Sequence, residues 1–391
     1  MRLTNRALMV KESATLAIAS KAIRMKESGI DVISLSAGEP DFPTPDPIAE
    51  AGVQAIRAGK TKYTSPAGTI EARRAVCTLL RRDHGLDYRP EEILITAGAK
   101  PGIHVALMAA MEVGDAVVVP APFWVSYPDI IRLAGGEPHI LAAVPEQGFV
   151  HRKEQLLQAV RDCQARGLIF NSPNNPSGAV HTRQQVRDLV EVAEYEDLWI
   201  ISDEIYGRLL YDGAEHVSPA HFPEGRRRTF LVNGPSKTYA MTGWRLGFLA
   251  GPEEYIQAAY RIQSQITGNT CTPGQWAATE AFANDHTPAL QKMLTAFDAR
   301  RRLALDLLAA IPRLRPTRPS GAFYIVVDVR PILKERGIDD VQMAERLLED
   351  VKLALVPGAP FALPGFIRIS YAASEATIRE GIRRLAAWIN G

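Results

Sequence analysis

Residues able to bind or react stand just after short apolar runs in this chain. Lys237 follows Thr229–Val232 (TFLV), within Asn233-Gly234-Pro235-Ser236-Lys237-Thr238. An amine desolvated at such a position titrates low and becomes a nucleophile; a solvated surface lysine is the competing reading. Arg245 precedes Leu246–Ala250 (LGFLA), where it suits a phosphate or an acidic neighbour. Asp203 and Tyr206 follow Leu198–Ser202 (LWIIS). An acid at the mouth of an apolar strand needs a partner, or else caps a helix. After Leu168–Phe170 (LIF) comes the rigid turn Asn171–Gly178, whose amides serve the turn or a polar ligand. After Ala116–Pro120 (AVVVP) stands Trp124, a wall for a planar ligand or a packing residue. After Glu92–Thr96 (EILIT) come Ala97-Gly98-Ala99-Lys100 and a helix, a turn whose free N–H groups suit a phosphate. That turn matches neither GxxxxGK[ST] nor GxGxxG, so neither a P-loop nor a dinucleotide site is supported.

Taken together, these residues give one sheet edge a phosphate-type turn, an aromatic ring, an amide, an acid, a tyrosine, a lysine and an arginine. That set suits a planar, phosphorylated, pyridine-type cofactor. The lysine would form an imine with it, the acid would keep the ring nitrogen protonated, and the aromatic ring would stack.

The elements that must hold these groups read as α/β. The runs are continuously apolar, as strands buried on both faces are, and helical stretches such as Arg183–Tyr195 and Pro101–Met111 lie between them. A mostly parallel sheet covered by helices follows, and ligands bind such sheets beyond the strand carboxyl ends. After His286-Thr287-Pro288 the pattern changes: a long amphipathic helix over 289–310, then fewer, wider-spaced strands. The expected architecture is a three-layer αβα large domain over 46–287 and a smaller α+β domain built from 1–45 and 288–391. The turn-rich stretch Gly38–Pro45 (GEPDFPTP) connects them.

Composition is that of an ordinary globular protein. The 391 residues carry 45 Lys plus Arg against 44 Asp plus Glu, and 46% are hydrophobic. That excludes a disordered or collagen-like chain and gives no electrostatic reason for a nucleic-acid or membrane partner. No 20–50-residue repeat and no CxxC pair occurs. Cys77, Cys163 and Cys271 read as small core residues in a reducing cytoplasm. No apolar run reaches the roughly 18 residues of a membrane span, and the N-terminus lacks a signal-peptide core.

The motifs SAGEPDFPTP (Ser36–Pro45), KYTSPAG (Lys62–Gly68), TAGAKP (Thr96–Pro101), APFWVSYP (Ala121–Pro128), NSPNNPSG (Asn171–Gly178), SDEIY (Ser202–Tyr206), SKTYAMTGWRLG (Ser236–Gly247) and FIRISYA (Phe366–Ala372) run through nearly the whole chain. This set resembles the class I, fold-type I aminotransferases that depend on pyridoxal 5'-phosphate, in particular the bacterial aspartate and aspartate/prephenate branch. The resemblance implies that Lys237 holds the cofactor and moves the substrate proton, that Asp203 binds the ring nitrogen, and that Tyr206 and Asn175 bind its phenolic oxygen. It also implies that Trp124 stacks on the ring, and that Gly98, Ala99, Ser236 and Arg245 hold the phosphate. Tyr63 would reach the phosphate of a second subunit, making a homodimer the functional unit. Arg368 would grip the substrate α-carboxylate, with Asn175 and the Gly38 backbone helping to close the site.

The resemblance also bears on substrate. Lys100, with Ser13 and Thr15, favours a dicarboxylate, so aspartate donating to 2-oxoglutarate by a ping-pong reaction is the expected activity. The segment Gln263–Pro273 would come from the second subunit, and Ile266 in it suits an aromatic or aliphatic substrate instead. A broad-range, aromatic or prephenate aminotransferase is the alternative, followed by a carbon–sulfur lyase on the same fold. One departure stands out: Gly234 occupies a position where such proteins often carry Ser or Thr for the phosphate.

Overall fold

The computed structural model describes residues 2–10 and 14–391. Its largest element is a seven-stranded sheet of β1 (Ile93–Thr96), β2 (Ala116–Pro120), β3 (Glu137–Leu141), β4 (Gly167–Asn171), β5 (Trp199–Asp203), β6 (Thr229–Asn233) and β7 (Gly247–Ala250). The order across the sheet is β1-β7-β6-β5-β4-β2-β3. Strands β2 to β6 pair in parallel, whereas β7 runs antiparallel to both its neighbours.

Side chains alternate across this sheet into two apolar layers. Ile93, Ile95, Leu231 and Phe248 pack with Ile48, Val76, Leu80 and Phe282 of flanking helices. Leu94, Val119, Val232 and Leu249 face the other way, onto Ile103, Leu107, Ile131 and Ile256. Burial on both faces explains why six strands read as unbroken apolar runs. The seventh, β3, escaped that reading. It is an edge strand with Pro138 inside and solvent along most of its length, so it has neither an apolar run nor strong β-propensity.

A second, four-stranded antiparallel sheet has the order Val356–Pro357, Phe366–Ser370, Tyr324–Asp328, Arg315–Pro316. Helices Thr287–Ala309, Asp340–Asp350 and Glu375–Asn390 cover it, through Phe297, Leu308, Leu347, Ile382 and Leu385. The N-terminal region joins this body. Ile33–Ser34 pairs in parallel with Leu353–Ala354, and Ala22 of helix Ala14–Glu27 packs with Val32, Leu348 and Ala354. Arg301 in the long helix is fully buried and donates to both Asp212 and Asp298 at 2.7–2.8 Å, a satisfied ionic anchor.

The cysteines depart from the expectation of core residues. Cys77 and Cys163 are half-buried, and Cys271 is exposed before helix Thr272–Ala283. Burial pushes the Cys77 thiol up to about 11. Among the described residues, no helix is long and apolar enough to cross a membrane, and no cluster of His, Cys, Asp and Glu could hold a metal ion.

Candidate active site

A cleft of about 620 Å³ opens where the carboxyl ends of the parallel strands meet the smaller sheet. Gly38, Ala99, Lys100, Trp124, Asn175, Asp203, Tyr206, Ser236, Lys237, Arg245 and Arg368, all singled out from sequence, line it. Gly98 lies one residue outside this wall. Tyr63 is 98% exposed and Ile266 53% exposed, and neither lines the cleft of its own chain. Ser13 lies outside the described residues. Thr15 belongs to helix Ala14–Glu27.

Lys237 sits in the short helix Pro235–Thr238 just past β6. Its ammonium donates to the Gly38 carbonyl at 2.5 Å. Burial pulls its pKa down to about 8; Glu39 opposes that, and the guanidinium groups of Arg245 and Arg368 add to it. The side chain is partly open to the cleft, but its surroundings are protein, and desolvation therefore dominates.

Asp203 ends β5 and is 4% exposed. Burial raises its pKa to about 6, held back by the hydrogen bond from Tyr127 and by the Ile205 N–H. Tyr127 Oη donates to Asp203 Oδ2 at 2.6 Å, and the Ile205 N–H to Oδ1 at 3.2 Å. The carboxylate thus serves the turn after β5 as well as the cleft. Asn171, its register partner at the end of β4, donates to the Asp203 carbonyl.

Arg368 lies in the central strand Phe366–Ser370 and is 3% exposed. Nη1 donates to Asn175 Oδ1 at 3.0 Å and Nη2 to the Ser36 carbonyl at 2.9 Å. Its guanidinium rests on Tyr324 (4.3 Å) and Phe361 (5.1 Å), while Nε is buried and has no partner among the described residues. Burial lowers its pKa, as expected of a charge awaiting a counter-ion.

Arg245 and the turn after β1 form the opposite wall. Thr96 pairs with Gly247, and a side chain at position 247 would lie 2.6–2.7 Å from the Gly98–Ala99 backbone, so only glycine fits. Gly98 has φ +108° and caps helix Ala99–Ala110, and a side chain there would meet the Arg245 guanidinium at 2.6 Å. Lys100 Nζ lies 4.8 Å from the Trp124 ring centroid, and burial, then Arg245, lowers its pKa. The cleft wall thus carries Lys26, Lys100, Lys237, Arg245 and Arg368 against Glu39 and Asp203. Among the described residues, none of the five cations has a carboxylate within 4.0 Å.

Sequence reasoning missed several lining residues. Tyr127 stands three residues after Trp124, inside the motif APFWVSYP, and its ring meets Trp124 edge-on at 5.5 Å. Tyr324, whose hydroxyl lies 2.9 Å from that of Tyr206, belongs to an apolar run that reads as core. Glu39, held by the Thr242 hydroxyl at 2.7 Å, and Lys26 carried no signal beyond a turn and a helix surface.

A family model described as Aminotransferase class I and II matches residues 30–385. The chain belongs to that family. The aspartate/prephenate aminotransferase of Thermus thermophilus is 42% identical over 387 residues, 98% of each chain. The probable aspartate/prephenate aminotransferase of Aquifex aeolicus is 42% identical over 385 residues, 98% of this chain and 97% of that one. Among solved structures, the aspartate aminotransferase from Thermus thermophilus with maleate superposes with a TM-score of 0.94 at 42% identity, covering 99% of this chain and all of that one. The aspartate aminotransferase from Rhizobium meliloti gives 0.95 at 38% identity, covering 100% and 99%. The fold is that of fold-type I aminotransferases, and the activity is amino-group transfer. The family implies pyridoxal 5'-phosphate as the cofactor.

Proposed function

We propose that the protein is an aspartate:2-oxoglutarate aminotransferase, working by ping-pong with pyridoxal 5'-phosphate as a cytoplasmic homodimer. The observation that carries the substrate reading is Lys100. Among the described residues it is a cation without a carboxylate partner, set against Trp124 in the cleft that also holds Arg368. Two separate cations on one cleft suit a substrate with two carboxylates. The relatives named for aspartate, and the solved structure named with the dicarboxylate maleate, support the same class.

The wall residues fit the cofactor. Arg245, Ser236 and the Gly98 and Ala99 N–H groups would hold its phosphate, Trp124 would cover its ring, Asp203 would face the ring nitrogen, and Tyr206 and Asn175 the phenolic oxygen. When bound, the cofactor supplies an electron sink that makes the Cα proton of an attached amino acid removable. The chain supplies the rest. Lys237, at about 8, exchanges a proton at Nζ near neutral pH, so it can both take the Cα proton and return it. Tyr127 fixes the Asp203 carboxylate and favours its charged form. Arg368, already braced by Asn175 and Ser36, orients the α-carboxylate and fixes which Cα bond faces Lys237.

A division into a large domain over 46–287 and a small one from 1–45 and 288–391 is supported by the two separate sheets, the larger formed within 93–250 and the smaller within 315–370. The dimer reading is supported by a stapled surface patch. Gln263 donates to Pro66, Thr272 to Lys62 and Gln275 to Thr64, binding the Tyr63 loop to the segment that carries Ile266. Prephenate as a further acceptor is favoured by Ile23, an apolar residue that is 56% exposed yet lines the cleft.

The test is a half-reaction screen: mix the cofactor-loaded enzyme with single amino acids and follow the loss of cofactor absorbance. Aspartate and glutamate are expected to react fastest. Phenylalanine or alanine reacting far faster than aspartate would refute the assignment. Amination of prephenate by the amino-loaded enzyme tests the second acceptor.

A further inference from the structure

Tyr324 touches both halves of the site, yet the reading above gives it no task. It begins strand Tyr324–Asp328, two residues before Val326, the register partner of Arg368. It is 1% exposed and lines the cleft together with Tyr206, which is equally buried in protein. The two hydroxyls lie 2.9 Å apart, and the rings meet edge-on at 5.8 Å. The Arg368 guanidinium sits 4.3 Å from the Tyr324 ring centroid.

This hydroxyl pair carries one proton more than its mutual bond uses. Burial raises the pKa of both groups, so each keeps its proton at neutral pH. One proton lies on the line between the oxygens and the other points elsewhere. Among the described residues, neither hydroxyl has a second hydrogen-bond partner. The Gly38 backbone closes one side of Tyr324, since a Cβ on Gly38 would lie 3.5 Å from its hydroxyl. Charge decides the direction of the bond. A nearby cation makes a hydroxyl more acidic, hence a better donor and a poorer acceptor. Arg368 lies on the Tyr324 ring itself and opposes the rise in its pKa. Tyr324 therefore donates, Tyr206 accepts, and the Tyr206 proton is left for the cleft. The other groups facing the pair are Asp203 at the end of β5, Glu39 in the connector and the buried Tyr127 hydroxyl.

We propose that Tyr324 is a positioning residue: its hydroxyl donates to Tyr206 and so directs the Tyr206 proton onto the phenolic oxygen of the cofactor. Asn175, the other donor to that oxygen in the reading above, is backed in the same way, because its Oδ1 accepts from Arg368 Nη1. The residue that grips the carboxylate thus stands behind both donors. A donor that itself accepts a hydrogen bond is strengthened by about a fifth. The inference deepens the proposed cofactor placement and rests on Tyr206 meeting the phenolic oxygen.

The test is a pH titration of the cofactor absorbance, without substrate, in four cofactor-loaded proteins: wild type, Tyr324→Phe, Tyr206→Phe and the double variant. Phenylalanine keeps both rings, including the one beneath Arg368, and changes no charge. Fewer or weaker donors on the phenolic oxygen make it more basic, so the bound cofactor holds its proton to higher pH. Tyr206→Phe is expected to raise the midpoint by about 1–2 pH units, the worth of a hydrogen bond to a charged group. Tyr324→Phe is expected to raise it by about 0.3 unit, a fifth of that, and to add nothing once Tyr206 is already phenylalanine. A Tyr324→Phe shift that is absent, downward, or equal in both backgrounds overturns the proposal. Failure of the parent reading looks different: Tyr206→Phe itself then leaves the midpoint in place, and the role of Tyr324 falls with it.

Discussion

Tyr127→Phe isolates the electrostatics of the site from its shape. Tyr127 is 1% exposed and gives Asp203 a 2.6 Å hydrogen bond, while Phe would keep the edge-on contact with Trp124. A hydrogen bond to a charged group contributes about 1.5–3 kcal/mol. At 1.36 kcal/mol per pH unit, its loss moves the Asp203 pKa up by about 1–2 units. The sign follows because the bond favours the ionised carboxylate. Asp203 stands at about 6 in the wild-type protein, so the variant carboxyl would be roughly half to nine-tenths protonated at pH 7. The cofactor ring nitrogen needs that charge, so affinity is full above the cofactor-free Asp203 pKa and declines as pH falls through it. The assay is the dissociation constant of pyridoxal 5'-phosphate from pH 5 to 9 for both proteins. The acid limb of the variant is expected about 1–2 units higher. Lys237 also titrates in this range and is coupled to Asp203, whose charge holds its pKa up, so the comparison reads the displacement of the acid limb. Superimposable profiles would refute the coupling of Tyr127 to Asp203.

Two further expectations concern stability. A carboxyl raised from 3.8 to about 6 costs the folded, cofactor-free protein up to about 3 kcal/mol above pH 6, and nothing below pH 4. Asp203→Asn should therefore stabilise that form against urea at pH 7.5, with the gain shrinking toward pH 4; a variant less stable at pH 7.5 contradicts this. At Gly234 a side chain would meet the Leu246 carbonyl at 2.9 Å and the Gly247 Cα at 3.0 Å. Gly234→Ser should thus lower stability by about 1–3 kcal/mol without tightening cofactor binding; a raised melting temperature with a lower dissociation constant would show the hydroxyl accommodated.

Much of the site was legible because chemistry here sits at strand ends. Lys237 and Asn175 follow β6 and β4 and Asp203 ends β5, strands whose double-sided burial leaves an unmistakable apolar run. Arg368 was legible through its motif, since a charge inside an apolar strand has no other sequence signature. Tyr324 was not, because a tyrosine beginning YIVVD looks like core until a second strand brings its hydroxyl to Tyr206. Lys26 was not either, because a lysine on a helix is ordinary until tertiary packing decides which face meets the cleft. The Gly234 departure makes sense only with β7 in place: the space a Ser or Thr would need is filled by backbone.

The reversed strand has one more consequence. Because β7 runs against β6, the chain leaves the large sheet at the cleft and re-enters it at the cleft, and Lys237 and Arg245 both ride on that single excursion. It is clamped at both ends by neighbouring strands. Arg368 belongs to the other sheet, with Tyr324 paired beside it. The molecule therefore keeps its carrier and its visitors on separate foundations. A displacement of the small sheet shifts the grip on a carboxylate directly, and reaches the nitrogen's temporary holder through single hydrogen bonds (Tyr324 with Tyr206, Arg368 with Asn175, Lys237 with the Gly38 carbonyl) rather than through the strands that clamp the excursion. A catalyst that must release one keto acid before admitting another, without dropping what it has just taken, needs that separation.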